Sequence, residues 1–142
     1  MPDVGVAART AVRSRARYRC EYCLVPESLT LASHEIDHII ATKHAGATKL
    51  AGGTGTENLA LCCTLCNKHK GTDLSSIDPE TGDMCRLFHP RRDQWHQHFE
   101  LRRGEILALT PVGRVTVRLL RLNRPERTSE REIMIRAGLL SP

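Results

Sequence analysis

Apolar and polar positions divide the chain into three stretches. From Val4 to Tyr18 strong helix formers run without Gly or Pro after Gly5, which predicts a helix leading into Cys20. The second stretch begins at Cys20. His34 to Ala41 predicts a strand, Gly46, Gly52, Gly53 and Gly55 mark a loop, Leu59 to Leu61 is a short apolar segment, and Cys63 to Lys70 predicts a short helix. Strand, loop, strand and helix are therefore expected before Gly71. The third stretch opens with LSSIDPETGD, whose Asp78-Pro79 and Thr81-Gly82 pairs predict a turn-rich linker. Beyond it, Trp95 and Phe99 lie four apart on an expected helix, and Glu105 to Leu109 is a candidate strand. Val115, Leu119 and Leu122 suit one helix face before Pro125. Ser129 and Glu132 predict a capping box for a last helix ending near Gly138. The expected class is α+β, with a core over residues 1–71 and a small α/β appendage over residues 72–142 packed on it.

Composition keeps this picture within one ordinary globular domain. The chain has 142 residues, of which 40% are hydrophobic and 26% charged, unlike disordered or fibrous chains. The start, MPDVGVAARTAVRSRAR, reaches arginine without an apolar core, and no apolar run approaches membrane-spanning length, so a cytoplasmic protein with no membrane partner is expected. Reducing compartments disfavour disulfides, which makes metal the first reading of the six cysteines.

Cys20-x2-Cys23 and Cys63-x2-Cys66, separated by 39 residues, can present four thiolates to one tetrahedral Zn2+. The separation exceeds that of compact four-cysteine modules, so the intervening sequence must fold out and back. A redox reading of either pair lacks the βαβ context it needs. Cys62 in place of Cys63 would give a three-residue spacer; Cys63 matches the spacer of the first pair. Cys62 and Cys85 are then small buried residues.

EIDHII lies between the pairs and carries the candidate chemistry. Asp37 supplies a hard oxygen for Mg2+ or Mn2+, and His38 can take a proton from water near neutral pH. Neighbours on a regular strand point to opposite faces, so both serve one site only if the strand ends or bends there. Asn58 is a candidate to accept from the His38 ring N–H and fix its tautomer, and Asn67 is a candidate second oxygen ligand. Taken singly, both asparagines also suit turn and cap positions.

The net charge of +5 is uneven: five arginines against Asp3 fall in residues 1–19. Arg9, Arg13 and Arg17 recur at helical spacing and would share a face on which a polyanion can lie; a solvated helix face has the same pattern. Lys68 and Lys70 are further candidates for phosphate contact.

Taken together, IDHII, ENLAL and CTLCNKHKG resemble the HNH endonuclease family, with its Asp-His pair, later Asn-Leu, and Cys-x2-Cys followed by Asn or His. This His-Asn-Asn version also resembles the junction-resolving recombination endonucleases of phages. The resemblance covers about Arg17 to Gly71. It implies a ββα-metal core, phosphodiester hydrolysis in nucleic acid, most readily DNA, and 5′-phosphate and 3′-hydroxyl products. It further implies His38 as general base, Asn58 as its orienting partner, Asp37 and Asn67 as divalent-ion ligands, and Cys20, Cys23, Cys63 and Cys66 as structural zinc ligands. The tail is similar to that of uncharacterised bacterial HNH proteins, which implies no substrate. The rival expectation is a non-catalytic, zinc-stapled nucleic-acid-binding module, which would not need Asp37, His38, Asn58 and Asn67 together. Oligomeric state is not legible in the sequence.

Overall fold

The computed structural model describes residues 4–49 and 51–141; Asp3, counted above among the N-terminal charges, lies outside them. At its centre, EIDH and LALC pair as β1 (Glu35–His38) and β2 (Leu59–Cys62). The two run antiparallel, with Glu35 opposite Cys62, Ile36 opposite Leu61, Asp37 opposite Ala60 and His38 opposite Leu59. Opposed residues share a face, so Ile36, Leu59 and Leu61 face one way and Glu35, Asp37 and Cys62 the other. Helix α1 (Val6–Arg15) covers the apolar face, where Val4, Val12, Leu59 and Leu61 form a buried cluster edged by Ala8, Ala16 and Ile36. Helix α2 (Thr64–Lys70) starts directly after Cys63 and folds back along β1.

Helix α1 and strand β1 are both shorter than the sequence predicts. Helix α1 stops at Arg15 because Arg17 and Tyr18 adopt left-handed backbone, φ 55° and 58°, and the Tyr18 amide closes onto the Arg13 carbonyl. Strand β1 ends at His38 because the next two amides are taken by Asn58: Ile39 N–H donates to its carbonyl and Ile40 N–H to its side-chain Oδ1. The connection to β2 then folds tightly. Gly52, at φ 70°, is required there, since a Cβ would fall 2.6 Å from the Ala45 nitrogen.

The sequence after Gly71 holds more regular structure than expected. The presumed linker is a hairpin, β3 (Ser75–Ile77) with β4 (Met84–Arg86), whose turn is held by Asp78 accepting from Glu80 N–H and the Thr81 hydroxyl. Arg114 adds a bidentate pair to the same carboxylate at 2.9 and 2.8 Å and holds it well below the usual aspartate range. Trp95 lies in one short turn, α3 (Trp95–His98). Phe99 opens β5 (Phe99–Arg102), which pairs with β6 (Glu105–Ala108). Helix α4 (Pro111–Leu119) is capped by the Thr110 hydroxyl, and α5 (Pro125–Arg136) follows. Helix α5 begins four residues before Ser129, with Pro125 at its first position, so Ser129 and Glu132 lie inside the helix and form no capping box. Gly138, at φ 74°, follows its end as predicted.

One apolar cluster runs through both halves, from Cys20, Tyr22 and Cys66 to Phe88, Phe99, Ile106, Leu122 and Met134. Trp95 is partly buried against it, with its indole N–H on the Tyr22 carbonyl at 3.0 Å, and Phe99 is buried. Core packing thus accounts for both aromatics. No helix among the described residues is long and apolar enough to cross a membrane.

Candidate metal centre and active site

Two tight knuckles build the metal centre. In each, the second cysteine's backbone amide donates to the first cysteine's sulfur, Cys23 N to Cys20 Sγ and Cys66 N to Cys63 Sγ, both at 3.4 Å. The first knuckle docks on β2 through Glu21, whose amide donates to the Leu61 carbonyl while its carboxylate accepts the Leu61 amide. The second forms the first turn of α2, with Cys63 as the cap.

The four sulfurs lie within 4.8 Å of one another, and Cys23 Sγ and Cys63 Sγ are 3.7 Å apart. Four sulfurs each about 2.3 Å from a tetrahedral zinc stand about 3.8 Å apart, so the cluster fits a structural zinc. All four residues are buried, and among the described residues no other group of three or more His, Cys, Asp or Glu side chains is close enough to share an ion. Hydrogen bonds within the sulfur cluster hold Cys63 well below the usual thiol range, whereas burial pushes Cys20 well above it. Cys62 stays outside the set, with burial pushing its thiol to about 11. Cys85 is half-buried against the core.

Beside this centre, the β1–α2 seam brings together Asp37 and Asn67, the candidate divalent-ion ligands, but each is paired with another side chain. Glu35 and Asp37, two apart on β1, meet Asn67 and Lys70, one turn apart on α2. Asn67 donates its side-chain amide to Glu35. Lys70 sets its ammonium 3.1 Å from Asp37 Oδ2 and 3.3 Å from both Oδ1 and the His38 carbonyl. Tyr22, between the first two cysteines, completes the cage by donating its hydroxyl to Asp37 Oδ2 at 3.1 Å. Burial pushes the Asp37 carboxyl up, against the opposing pull of Lys70 and Tyr22.

This geometry corrects one expectation directly. Lys70 is 2% exposed and committed to Asp37, so it does not project toward a nucleic-acid backbone. The same contact bears on the divalent ion expected at Asp37 and Asn67. The donors have suitable oxygen chemistry, but the ammonium occupies the space beside the carboxylate that a cation would take. As arranged, the seam does not fit the ion.

Asn58 is buried and fully engaged, but not with His38. Its Oδ1 accepts from Ile40 N–H at 2.9 Å, and its Nδ2 donates to the carbonyls of Ile40 and Gly53 at 2.9 and 2.8 Å. Instead of orienting the imidazole, it fixes the loop that leaves β1. His38 is the last residue of that strand, but the register is regular through Asp37 and His38, so His38 shares the face of Ile36 and Leu61 and points away from that of Asp37. Its Nε2 is buried without a hydrogen-bond partner. His34 is buried as well, and its Nε2 lies 2.8 Å from the Val25 carbonyl, tying the first knuckle to β1.

Residues 20–73 match the family described as HNH endonuclease. That segment, less than half of the chain, is an HNH domain, and HNH domains belong in general to nucleases and act on nucleic acid. No curated protein and no solved structure matches the chain.

The basic residues expected to flank the HNH domain are not brought onto one face. Arg13 is bound to the Glu27 carboxylate at 3.1 Å and to the His34 carbonyl at 3.0 Å. Arg17 lies past the end of α1, off the line of Arg9 and Arg13; Arg17 and Lys68 are exposed. Sequence reasoning missed Tyr22 and Glu35 as partners of the seam. The available signal was spacing: residues 35 and 37 share a strand face and 67 and 70 a helix face, so an acid pair on one meets a donor pair on the other.

Proposed function

We propose that the protein is an HNH endonuclease that hydrolyses phosphodiester bonds in nucleic acid, most readily DNA. In this reading residues 1–71 carry the nuclease core and residues 72–142 an appendage packed on it. The observation that carries it is the buried, unpartnered Nε2 of His38 within the HNH segment. A neutral imidazole with a free nitrogen can take a proton from water as the oxygen attacks phosphorus and the leaving oxygen departs. Asn58 supports this by holding the loop after His38, and Lys68 and Arg17 offer exposed cations for phosphate contacts. Zinc in the four-cysteine site anchors α2 against β1. Mg2+ or Mn2+ at Asp37 and Asn67 rests on the resemblance and on oxygen chemistry, and no step is assigned to it while Lys70 holds Asp37.

That contact favours a second reading, a zinc-stapled nucleic-acid-binding module without catalysis. Single-turnover cleavage of plasmid, branched and single-stranded DNA across Mg2+, Mn2+ and Ni2+ titrations separates the two. His38→Ala should lower the rate about 10²- to 10⁴-fold with zinc content and DNA binding unchanged. Wild-type protein that binds DNA and cuts none of these substrates establishes the second reading.

A further inference from the structure

Helix α5 carries two buried arginines, four residues apart and so on one face, to the cysteine cluster. Arg127 is 7% exposed and sets Nη2 3.8 Å from Cys63 Sγ, while its Nη1 reaches Glu130 at the rim at 2.9 Å. Arg131 is fully buried. Its Nε donates to the Gly104 carbonyl at 2.6 Å, and its Nη2 donates to the Leu122 carbonyl at 2.7 Å and to Asn123 Oδ1 at 3.1 Å. Its Nη1 has no partner.

None of the groups bonded to Arg131 is an anion, yet a guanidinium keeps its charge in proteins. An uncompensated buried charge is expensive, so the compensation must come from elsewhere. For Arg131 the acidic groups close enough to supply it are Cys20, Cys23 and Cys66; Arg127 faces Cys23, Cys63 and Cys66 in the interior and shares its outer edge with Glu130. A zinc ion with four thiolates carries a net charge of −2, enough to compensate Arg131 and to share Arg127 with Glu130 at the rim. Gly104 allows the approach: a Cβ there would fall 2.3 Å from the Thr128 carbonyl oxygen, forcing the β5–β6 turn away from α5.

We propose that Arg127 and Arg131 are the counter-charge of the zinc–thiolate cluster, so that the C-terminal half is an electrostatic part of the metal site. This rests on zinc being the ligand of the four cysteines. Both arginines are positioning residues, stabilising the thiolate form of the ligands. The pair should therefore tune zinc affinity.

The test uses the full chain and compares Arg127→Met, Arg127→Lys and Arg131→Met with wild type. Zinc affinity is read by competition with a chromophoric chelator. Arg127→Met should bind zinc about 10- to 100-fold more weakly, the usual effect of losing an outer-shell partner. Arg127→Lys, which keeps the charge, should stay within a few-fold of wild type. Arg131→Met should shift in the same direction, and if it does not fold the Arg127 pair decides. Equal zinc affinity in wild type and Arg127→Met would overturn the proposal, as would a Lys variant no better than Met. Wild-type protein that folds without zinc overturns the zinc assignment itself.

Discussion

Replacing Lys70 with methionine removes the ammonium that sits 3.1 Å from Asp37 and keeps most of the volume. At that separation and an effective dielectric of about 20, the Coulomb attraction is about 5 kcal/mol. Removing one partner of a buried pair typically costs about 3–5 kcal/mol, because the other charge is left without compensation. Asp37 is 5% exposed and would keep only the Tyr22 hydroxyl as a side-chain donor. Against a total stability of about 5–15 kcal/mol, this loss lowers the melting temperature by roughly 10 °C. Urea and thermal unfolding of zinc-loaded protein measure it.

The deficit should depend on pH. Burial already raises the Asp37 carboxyl above 3.8, and loss of Lys70 raises it further. The folded variant therefore binds this proton more tightly than the unfolded chain. Its deficit is full above the folded pKa and shrinks as pH falls through that value toward 3.8. Asp37→Asn combined with Lys70→Met removes both charges and should recover most of the loss. A Lys70→Met deficit under about 1 kcal/mol at neutral pH, or one that does not change with pH, would refute the buried-pair argument.

Cys23→Ser should lose both zinc and cooperative unfolding, since structural zinc sites contribute directly to folding; elemental analysis with circular dichroism checks this. Asn58→Ala removes three bonds that fix the loop after β1 and should cost about 1–3 kcal/mol, with faster hydrogen exchange at Ile40; unchanged exchange there counts against the clamp. Arg17→Ala should lower the slope of log affinity for DNA against log salt by about 1, whereas Arg13→Ala should mainly reduce stability, because its side chain is bound to Glu27. Salt titrations of DNA binding alongside melting curves separate the two effects.

Much of this protein is legible in its residues alone. The spacing of Cys20, Cys23, Cys63 and Cys66 defines one tetrahedral site because short knuckles leave few ways to present their sulfurs. The motif residues of IDHII, ENLAL and CTLCN identify the HNH domain in the same way. Local chemistry also fixes the start of α2 after Cys63 and the end of α5 before Gly138, since caps are decided by neighbours in the chain.

What the sequence left open depends on contacts between residues far apart in it. Lys70 reads as a surface cation on a short helix until that helix folds back and buries its ammonium on Asp37. Asn58 reads as a partner for His38, but the register of β1 and β2 places it beside the Ile40 backbone, whose amide and carbonyl it satisfies. Arg17 falls out of the helical line because the chain turns left-handed to bring the first knuckle onto β2. Arg127 and Arg131 look like solvated positions on a charged helix. The common apolar core presses that helix against the cysteines, and a buried charge there must find its counter-charge across the fold.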